Sequence, residues 1–224
     1  MTITTKVWDV PELSIGKQLF YVPGISTVGG FTVGGARVST TEQGGFAFLD
    51  FQPVMRLEWK RPIMSWLMSK TNGEVLRVRL APTPQVMTGE LIRGTGTPFG
   101  GIYQFNLQRW KGDIQSRFTT VALKGTSTIT VDMGDFGQVL QAGHVIGHAY
   151  DCYMIDEIAY DTSNVATLTI KPPLRRNVAV NDPALFRPYF TGAVMNADEV
   201  RNMYDAGDNG FNAVGKITLG EVIL

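Results

Sequence analysis

Residues 143–176 have the sequence GHVIGHAYDCYMIDEIAYDTSNVATLTIKPPLRR. The runs 143–160 and 165–170 are rich in β-branched and aromatic residues, and a polar DTSN loop separates them, which predicts a β-hairpin. In the second run, apolar residues alternate with hydroxyl-bearing ones, as they do on a strand with one buried face. Pro172 and Pro173 then end the strand, because neither can donate a hydrogen bond to a ladder.

The rest of the chain supplies further short strand candidates. They are residues 1–10, 18–22, 36–41, 46–51, 74–80, 102–110, 119–122, 127–131, 139–140 and 217–224. In one of them, Leu76, Val78 and Leu80 fall on the same face, which predicts that this face is buried. Short strands separated by Gly and Pro turns are typical of a sandwich or a barrel. We therefore predict a mainly β fold, an antiparallel β-sandwich or barrel.

One short helix is predicted within this β fold, at about residues 61–70. The i, i+4, i+7 and i+8 spacing of a buried helical face is met by Trp59, Ile63, Trp66 and Leu67. Pro62 suits a first helical turn, and Gly73 lies where a glycine commonly ends a helix. The tryptophan-containing face is predicted to pack on the core.

The domain organisation follows from length and from one irregular segment. A length of 224 residues suits one all-β unit, residues 1–224. Residues 82–101 are rich in Gly and Pro, which leaves open a division into two β halves, about 1–95 and 96–224. Residues 1–10 have strand character, and an arm that reaches a neighbouring subunit is one interpretation of them.

The composition excludes several classes of function. Lys plus Arg total 20 and Asp plus Glu total 20, so the formal net charge is +0. This balance lacks the basic excess of nucleic-acid-binding proteins and the polybasic signal of membrane-surface proteins. The single cysteine, Cys152, excludes an intramolecular disulfide and fits a reducing cytoplasm. We expect no signal peptide and no membrane insertion.

A metal site is one possible interpretation of three residues. His144, His148 and Cys152 follow an i, i+4, i+8 spacing that could gather zinc on a helix. The surrounding Val, Ile and Tyr residues indicate a strand instead. At ~3.3 Å per residue, His144 and Cys152 would then lie roughly 26 Å apart, too far to share an ion. A Cys–His nucleophile pair meets the same distance problem unless the chain doubles back at Gly147.

The carboxylates give no stronger signal for catalysis. Asp156 and Glu157 are adjacent in a strand and would point to opposite faces, and Asp132 and Asp135 form another pair of the kind glycosidases use. Residues 205–210 hint at calcium but lack the alternating ligands of an EF-hand loop. The sequence predicts no enzyme, with no catalytic residue, no cofactor and no metal ligand.

Over about residues 45–80 and 118–195, the chain resembles the distal-tail-like proteins of long-tailed bacteriophage tail tips. The resemblance is most specific at residues 166–175, ATLTIKPPLR. It is looser around Trp66, where residues 74–80 replace the Gly-Arg and Phe-Leu pattern that follows the helix in that family.

The resemblance implies a structural subunit of the virion tail tip. Such a subunit assembles with copies of itself into a ring, a hexamer by the same resemblance, which joins the tail tube to the hub, baseplate or fibres. It is assembled in the host cytoplasm. The resemblance brings no binding-site residues with it.

A carbohydrate-binding β-sandwich module is the alternative function. Such a module needs aromatic side chains exposed together on one sheet face. Tyr150, Tyr153, Tyr160 and Trp110 are available for that role.

Overall fold

The computed structural model describes residues 6–10, 15–23, 25–31, 37–42, 45–53, 65–67, 69–80, 115–134, 136–200 and 216–223. Within these ranges the chain is mainly β, as predicted, and neither of its two large sheets closes on itself. The described strands are β1 (Val7–Asp9), β2 (Ile15–Tyr21), β3 (Ile25–Phe31), β4 (Arg37–Glu42), β5 (Phe48–Pro53), β6 (Val75–Arg79), β7 (Gln115–Arg117), β8 (Thr128–Asp132), β9 (Val145–His148), β10 (Asp151–Tyr160), β11 (Val165–Lys171), β12 (Pro183–Leu185), β13 (Tyr189–Val194) and β14 (Ile217–Glu221).

The first sheet has six strands in the order β1-β6-β13-β14-β5-β2. All neighbours are antiparallel except β1 and β6, which run parallel. The sheet combines strands from both sides of residues 82–101, and residues 81–114 lie outside the described part of the chain. The predicted division into two halves therefore stays a prediction.

The predicted alternation in β6 is confirmed. Leu76, Val78 and Leu80 are all buried and belong to the core of the first sheet. That core is completed by Ala47, Leu49, Phe51, Leu67, Cys152, Phe190, Val200, Ile217 and Leu219. Strands with one buried face can leave their other face to solvent or to a neighbour.

The predicted N-terminal strand pairs within its own chain. Val7–Asp9 align with residues 75–77 of β6, and Val10 N–H donates to the Arg77 carbonyl at 2.9 Å. Trp8 packs against the core, with the ammonium groups of Lys6 and Lys70 at 3.8 and 3.7 Å from its ring centroid. Residues 1–5 lie outside the described part, so the inter-subunit arm stays a prediction.

The second sheet also has six strands, in the order β7-β12-β9-β10-β11-β8. The predicted hairpin is confirmed as β10 and β11 with the loop 161–164 between them. Asp161 Oδ1 fixes this loop by accepting hydrogen bonds from the backbone N–H groups of Ser163 and Val165, both at 2.8 Å. Asn164 adopts a positive φ of 58°, a conformation that Asn tolerates.

The prediction that residues 143–160 form one strand is wrong. The chain turns back at Ala149 and Tyr150, so that β9 pairs antiparallel with the start of β10. Ala149 takes a φ of 54°, which Gly or Asn normally adopts in turns of this kind. Neither residue type is present at positions 149–150, and the nearest glycine, Gly147, lies two residues before the positive φ.

The second sheet has a hydrophobic core of its own. An isolated bridge joins Phe118, the residue after β7, to Val131 of β8, although strand pairing does not close this sheet into a barrel. The largest fully buried side chains of this core are Phe118, Ile129, Met133, Leu140, Tyr153 and Phe186. Phe136 and Phe186 meet edge to face, with ring centroids 4.9 Å apart.

The helical and remaining elements are short. Residues 65–67 and 69 are helical and lie within the helix predicted at about residues 61–70, of which residues 61–64 and 68 are outside the described part. Gly73 follows with a φ of +85°. Residues 197–200 are also helical, and β3 pairs with β4 in a separate two-stranded sheet. Among the residues described, none of the helices is long and apolar enough to cross a bilayer.

Candidate functional site

The two six-stranded sheets meet at the hairpin formed by β9 and β10. On one face of this hairpin, Ile146 and Tyr153 belong to the core of the second sheet. On the other face, Val145 and Cys152 pack into the core of the first sheet. At Gly147 the packing leaves no room for a side chain, because a Cβ there would lie 2.3 Å from the Cβ of Pro188. A larger residue at position 147 would have to displace Pro188 or the Asp151 carbonyl.

An arginine–glutamate pair joins the two sheets beside this hairpin. Arg175, four residues beyond the end of β11, donates from Nε to Glu221 Oε1 at 2.9 Å and from Nη2 to Oε2 at 2.8 Å. Arg175 Nη2 also donates to the Gly45 carbonyl at 2.9 Å, and Ala47 N–H donates to Glu221 Oε2 at 2.9 Å. Both charged side chains are mostly buried. Bidentate geometry and the extra backbone partners compensate their desolvation.

A second pair of charges lies on the opposite side of the same segment. Arg176 Nε and Nη2 donate to the two carboxylate oxygens of Asp151, the first residue of β10. Tyr153 Oη accepts a hydrogen bond from Arg175 N–H at 3.1 Å and lies 3.4 Å from Asp151 Oδ2. We call Asp151, Tyr153, Arg175, Arg176 and Glu221 the junction cluster.

The environment of the junction keeps the Tyr153 hydroxyl and the Cys152 thiol protonated. Burial raises the pKa of the Tyr153 hydroxyl, and the nearby Asp151 carboxylate raises it further. Burial also raises the pKa of the Cys152 thiol well above its usual value, with smaller contributions from Asp151 and Glu221. Cys152 Sγ lies 2.9 Å from the Tyr189 carbonyl. A thiol that stays protonated is a poor nucleophile.

The turn between β9 and β10 docks on the first sheet. Thr191 Oγ1 donates to the Tyr150 carbonyl at 3.1 Å. The guanidinium carbon of Arg77 lies 4.7 Å from the Tyr150 ring centroid and 5.4 Å from the ring centroid of Tyr189, within cation–π range. Arg77 is fixed in turn by Asp9, whose hydrogen bond is the largest contribution raising the arginine's pKa.

The three residues weighed as a zinc site have separate roles. The turn at residues 149–150 brings β9 and β10 side by side, so the estimated separation of His144 and Cys152 along one strand does not apply. His144 Nδ1 accepts a hydrogen bond from Gln141 N–H at 3.0 Å, and His148 Nε2 lies 3.3 Å from Asp182 Oδ2. Within the described ranges, no group of three or more His, Cys, Asp or Glu side chains is placed to hold a metal ion.

The acidic candidates are also engaged in local contacts. Asp156 pairs with Lys171 at 2.8 Å, while the neighbouring Glu157 is exposed. Asp132 accepts from Arg117 Nε at 3.0 Å and from Gly134 N–H at 2.9 Å; the Gly134 bond is the main cause of its lowered pKa. Asp135 and residues 205–210 lie outside the described residues.

The four aromatic residues weighed for carbohydrate binding do not form an exposed platform in the part of the chain that is described. Tyr153 is fully buried in the core of the second sheet. Tyr160 is half-buried, and its hydroxyl donates to the Leu140 carbonyl at 3.0 Å. Tyr150 is 47% exposed, but Arg77 covers part of its ring. Trp110 lies outside the described residues.

Sequence reasoning gave no role to the charged residues of the junction cluster. Arg175 and Arg176 follow a Pro-Pro pair, which indicates a rigid segment but not its partners. Glu221 lies 46 positions after Arg175. No local pattern links residues so far apart.

Comparison with known proteins gives no further assignment. No protein-family model matches the chain, and a search of curated proteins finds no significant match.

Proposed function

We propose that the protein is a non-enzymatic structural subunit of the tail tip of a long-tailed bacteriophage. In this proposal it assembles with copies of itself into a ring, a hexamer by family resemblance. The ring connects the tail tube to the hub, baseplate or fibres. The subunit is assembled in the host cytoplasm and resides in the virion.

The observation that carries the proposal is the position of residues 166–175, where the resemblance is most specific. These residues form most of β11 and the Pro-Pro segment that leads to Arg175. Arg175 binds Glu221 in the other sheet. The resemblance is therefore concentrated in the segment that holds the two sheets together, as expected for a protein whose task is architectural.

The outer face of the first sheet exposes apolar side chains that are available for self-association. On this face Tyr21 stacks on Phe48 with ring centroids 5.6 Å apart, and Met195 packs over Gly220. Leu19 and Met195 are 60% and 63% exposed. Leu19 and Met195 lie on either side of the Asp50–Lys216 ion pair, so this face combines apolar and charged groups. Exposed apolar surface rimmed by polar residues can mark a protein–protein contact. A second copy of this chain is the partner that the proposed ring requires.

The proposal is tested by the mass of the purified protein in solution. Light scattering across a range of concentrations should show one defined oligomer with a closed ring shape in negative-stain images. A protein that stays monomeric at high concentration contradicts the proposal. A monomer that is retained on a polysaccharide column would support the carbohydrate-binding alternative instead.

A further inference from the structure

His148 is a buried imidazole at the end of β9. It is 6% exposed and meets the ring of Phe118 edge to face, with ring centroids 5.5 Å apart. Its Nε2 atom lies 3.3 Å from Asp182 Oδ2. Its Nδ1 atom is buried and has no hydrogen-bond partner among the described residues. A second proton on this ring would therefore place an N–H group in the core without an acceptor.

Three charged groups face His148 from the elements packed around it. Asp182 approaches from the turn before β12, where its carboxylate also accepts a hydrogen bond from Ala179 N–H at 2.8 Å. Asp151 lies directly opposite in the β9–β10 pairing. Arg176 binds Asp151 and brings a positive charge to the same region.

The balance of these effects favours the neutral imidazole. Burial is the largest cause and lowers the pKa of His148; the Arg176 charge acts in the same direction, while Asp182 and Asp151 oppose it. The net direction is downward from the usual value of about 6.5. The closed hairpin therefore binds a proton at His148 less readily than a solvated histidine does.

The turn at residues 149–150 connects His148 to the contact between the two sheets. His148 is followed directly by Ala149 and Tyr150. Tyr150 is held to the first sheet by Thr191 Oγ1 and by the Arg77 guanidinium. A displacement of the histidine changes the end of β9 and the position of this turn.

We propose that protonation of His148 opens the end of the β9–β10 hairpin and releases Tyr150 from the first sheet, so that mild acid loosens the junction between the sheets. The inference does not depend on the proposed phage function. It makes His148 a proton-sensitive residue in the core of the protein.

The size of the effect follows from proton linkage. A solvated histidine, as His148 would be in the open hairpin, has a pKa of about 6.5, and burial in the closed hairpin lowers the pKa of His148 below that value. Lowering the pH from about 7.5 to about 5 should then raise the opening equilibrium constant by up to roughly 30-fold. The increase ends once the closed form also takes up a proton.

Hydrogen–deuterium exchange of the full chain tests this inference. Exchange of the amides in residues 145–153, corrected for the intrinsic pH dependence of amide exchange, should speed up in wild type as the pH falls. In His148→Gln this pH dependence should be absent. His144→Gln is the matched control, because it removes the other histidine of the chain and should behave as wild type.

The proposal would be overturned if the corrected exchange rate in wild type did not depend on pH. It would also be overturned if His148→Gln showed the same pH dependence as wild type. If His148→Gln fails to fold, histidine NMR of the wild-type protein decides the question. A measured pKa for His148 below about 6.5, with resonance shifts of Tyr150 that follow the same titration, supports the proposal. A pKa at or above that value, or Tyr150 resonances that do not follow the titration, overturns it.

Discussion

Arg175 and Glu221 form a bidentate ion pair between the two sheets, with Nε–Oε1 and Nη2–Oε2 distances of 2.9 and 2.8 Å. Glu221 ends β14 in the first sheet, and Arg175 follows β11 in the second. Neither charge has much access to water. Because each charge is costly to bury without the other, the stability of the fold depends on keeping the two side chains in this bidentate contact.

Replacing Glu221 with Gln should destabilise the protein strongly. The change leaves the Arg175 guanidinium buried without a counter-charge, and removal of one partner of a buried pair costs about 3–5 kcal/mol. The free energy of unfolding from urea denaturation measures the loss. Glu157→Gln, on an exposed side chain of β10, is the control and should change it by less than about 0.5 kcal/mol. Equal effects of the two substitutions would show that the Arg175–Glu221 pair contributes no special stability.

The short helix contributes to the core through Leu67 more than through Trp66. Leu67 is 2% exposed, whereas Trp66 is only partly buried against the same core. Leu67→Ala should therefore cost about 2–5 kcal/mol of unfolding free energy, the usual range for a buried leucine. Leu123→Ala removes the same atoms from an exposed position and should be nearly neutral. A Leu67→Ala protein with unchanged thermal and urea stability would contradict the packing described for this helix.

Local sequence signals were sufficient where structure is decided locally. The β10–β11 hairpin follows from two β-rich runs and a polar loop, and Asp161 holds that loop as Asp side chains commonly do. The buried face of β6 follows from the alternation of Leu76, Val78 and Leu80. In each of these cases the residues that decide the element are neighbours in the sequence.

The junction was not predictable because its partners meet only in the folded chain. The turn at Ala149 lacks Gly and Asn, and tertiary contacts of Tyr150 with Thr191 and Arg77 accompany its strained φ. The pairing of Arg175 with Glu221 depends on how the two sheets stack. Sequence patterns report periodicity and turn chemistry, but they do not report which charged side chains will face each other across a core.

The buried hydroxyl of Tyr153 should make stability sensitive to alkaline pH. Tyr153→Phe deprives Arg175 N–H of its acceptor and should cost about 1–3 kcal/mol near neutral pH. The folded state raises the pKa of Tyr153, so its contribution is fully present below the unfolded value of about 10 and is lost as the pH rises above it. The stability gap between wild type and Tyr153→Phe should therefore narrow above about pH 10 in urea titrations. A gap that stays constant to higher pH would contradict the assigned environment.

The single thiol should report on the integrity of the junction. Cys152 is buried, and burial raises its pKa, so little thiolate is available in the native protein. Its reaction with a disulfide reagent should be more than roughly tenfold slower than in the protein unfolded by guanidinium chloride. Cys152→Ala gives the background rate. A native protein that reacts as fast as the unfolded chain would place Cys152 at the surface.

The last prediction concerns the forces that hold the proposed ring together. Only 18% of the residues are charged, and the outer face of the first sheet exposes Leu19 and Met195, so apolar burial should dominate the subunit contacts. Leu19→Asp should then shift the mass in solution from the oligomer to the subunit without changing the circular dichroism spectrum. Leu123→Asp is the matched control, since Leu123 is similarly exposed in the segment between β7 and β8, away from the first sheet, and its replacement should leave the oligomer intact.

Salt distinguishes this apolar contact from one made by charges. At a few hundred millimolar salt the Debye length is about 3–10 Å, so exposed ion pairs are weakened while apolar contacts persist. The wild-type oligomer should keep its mass under these conditions. Dissociation by salt would show that the interface is electrostatic. Disruption by Leu123→Asp but not by Leu19→Asp would move the interface from the first sheet to the segment between β7 and β8.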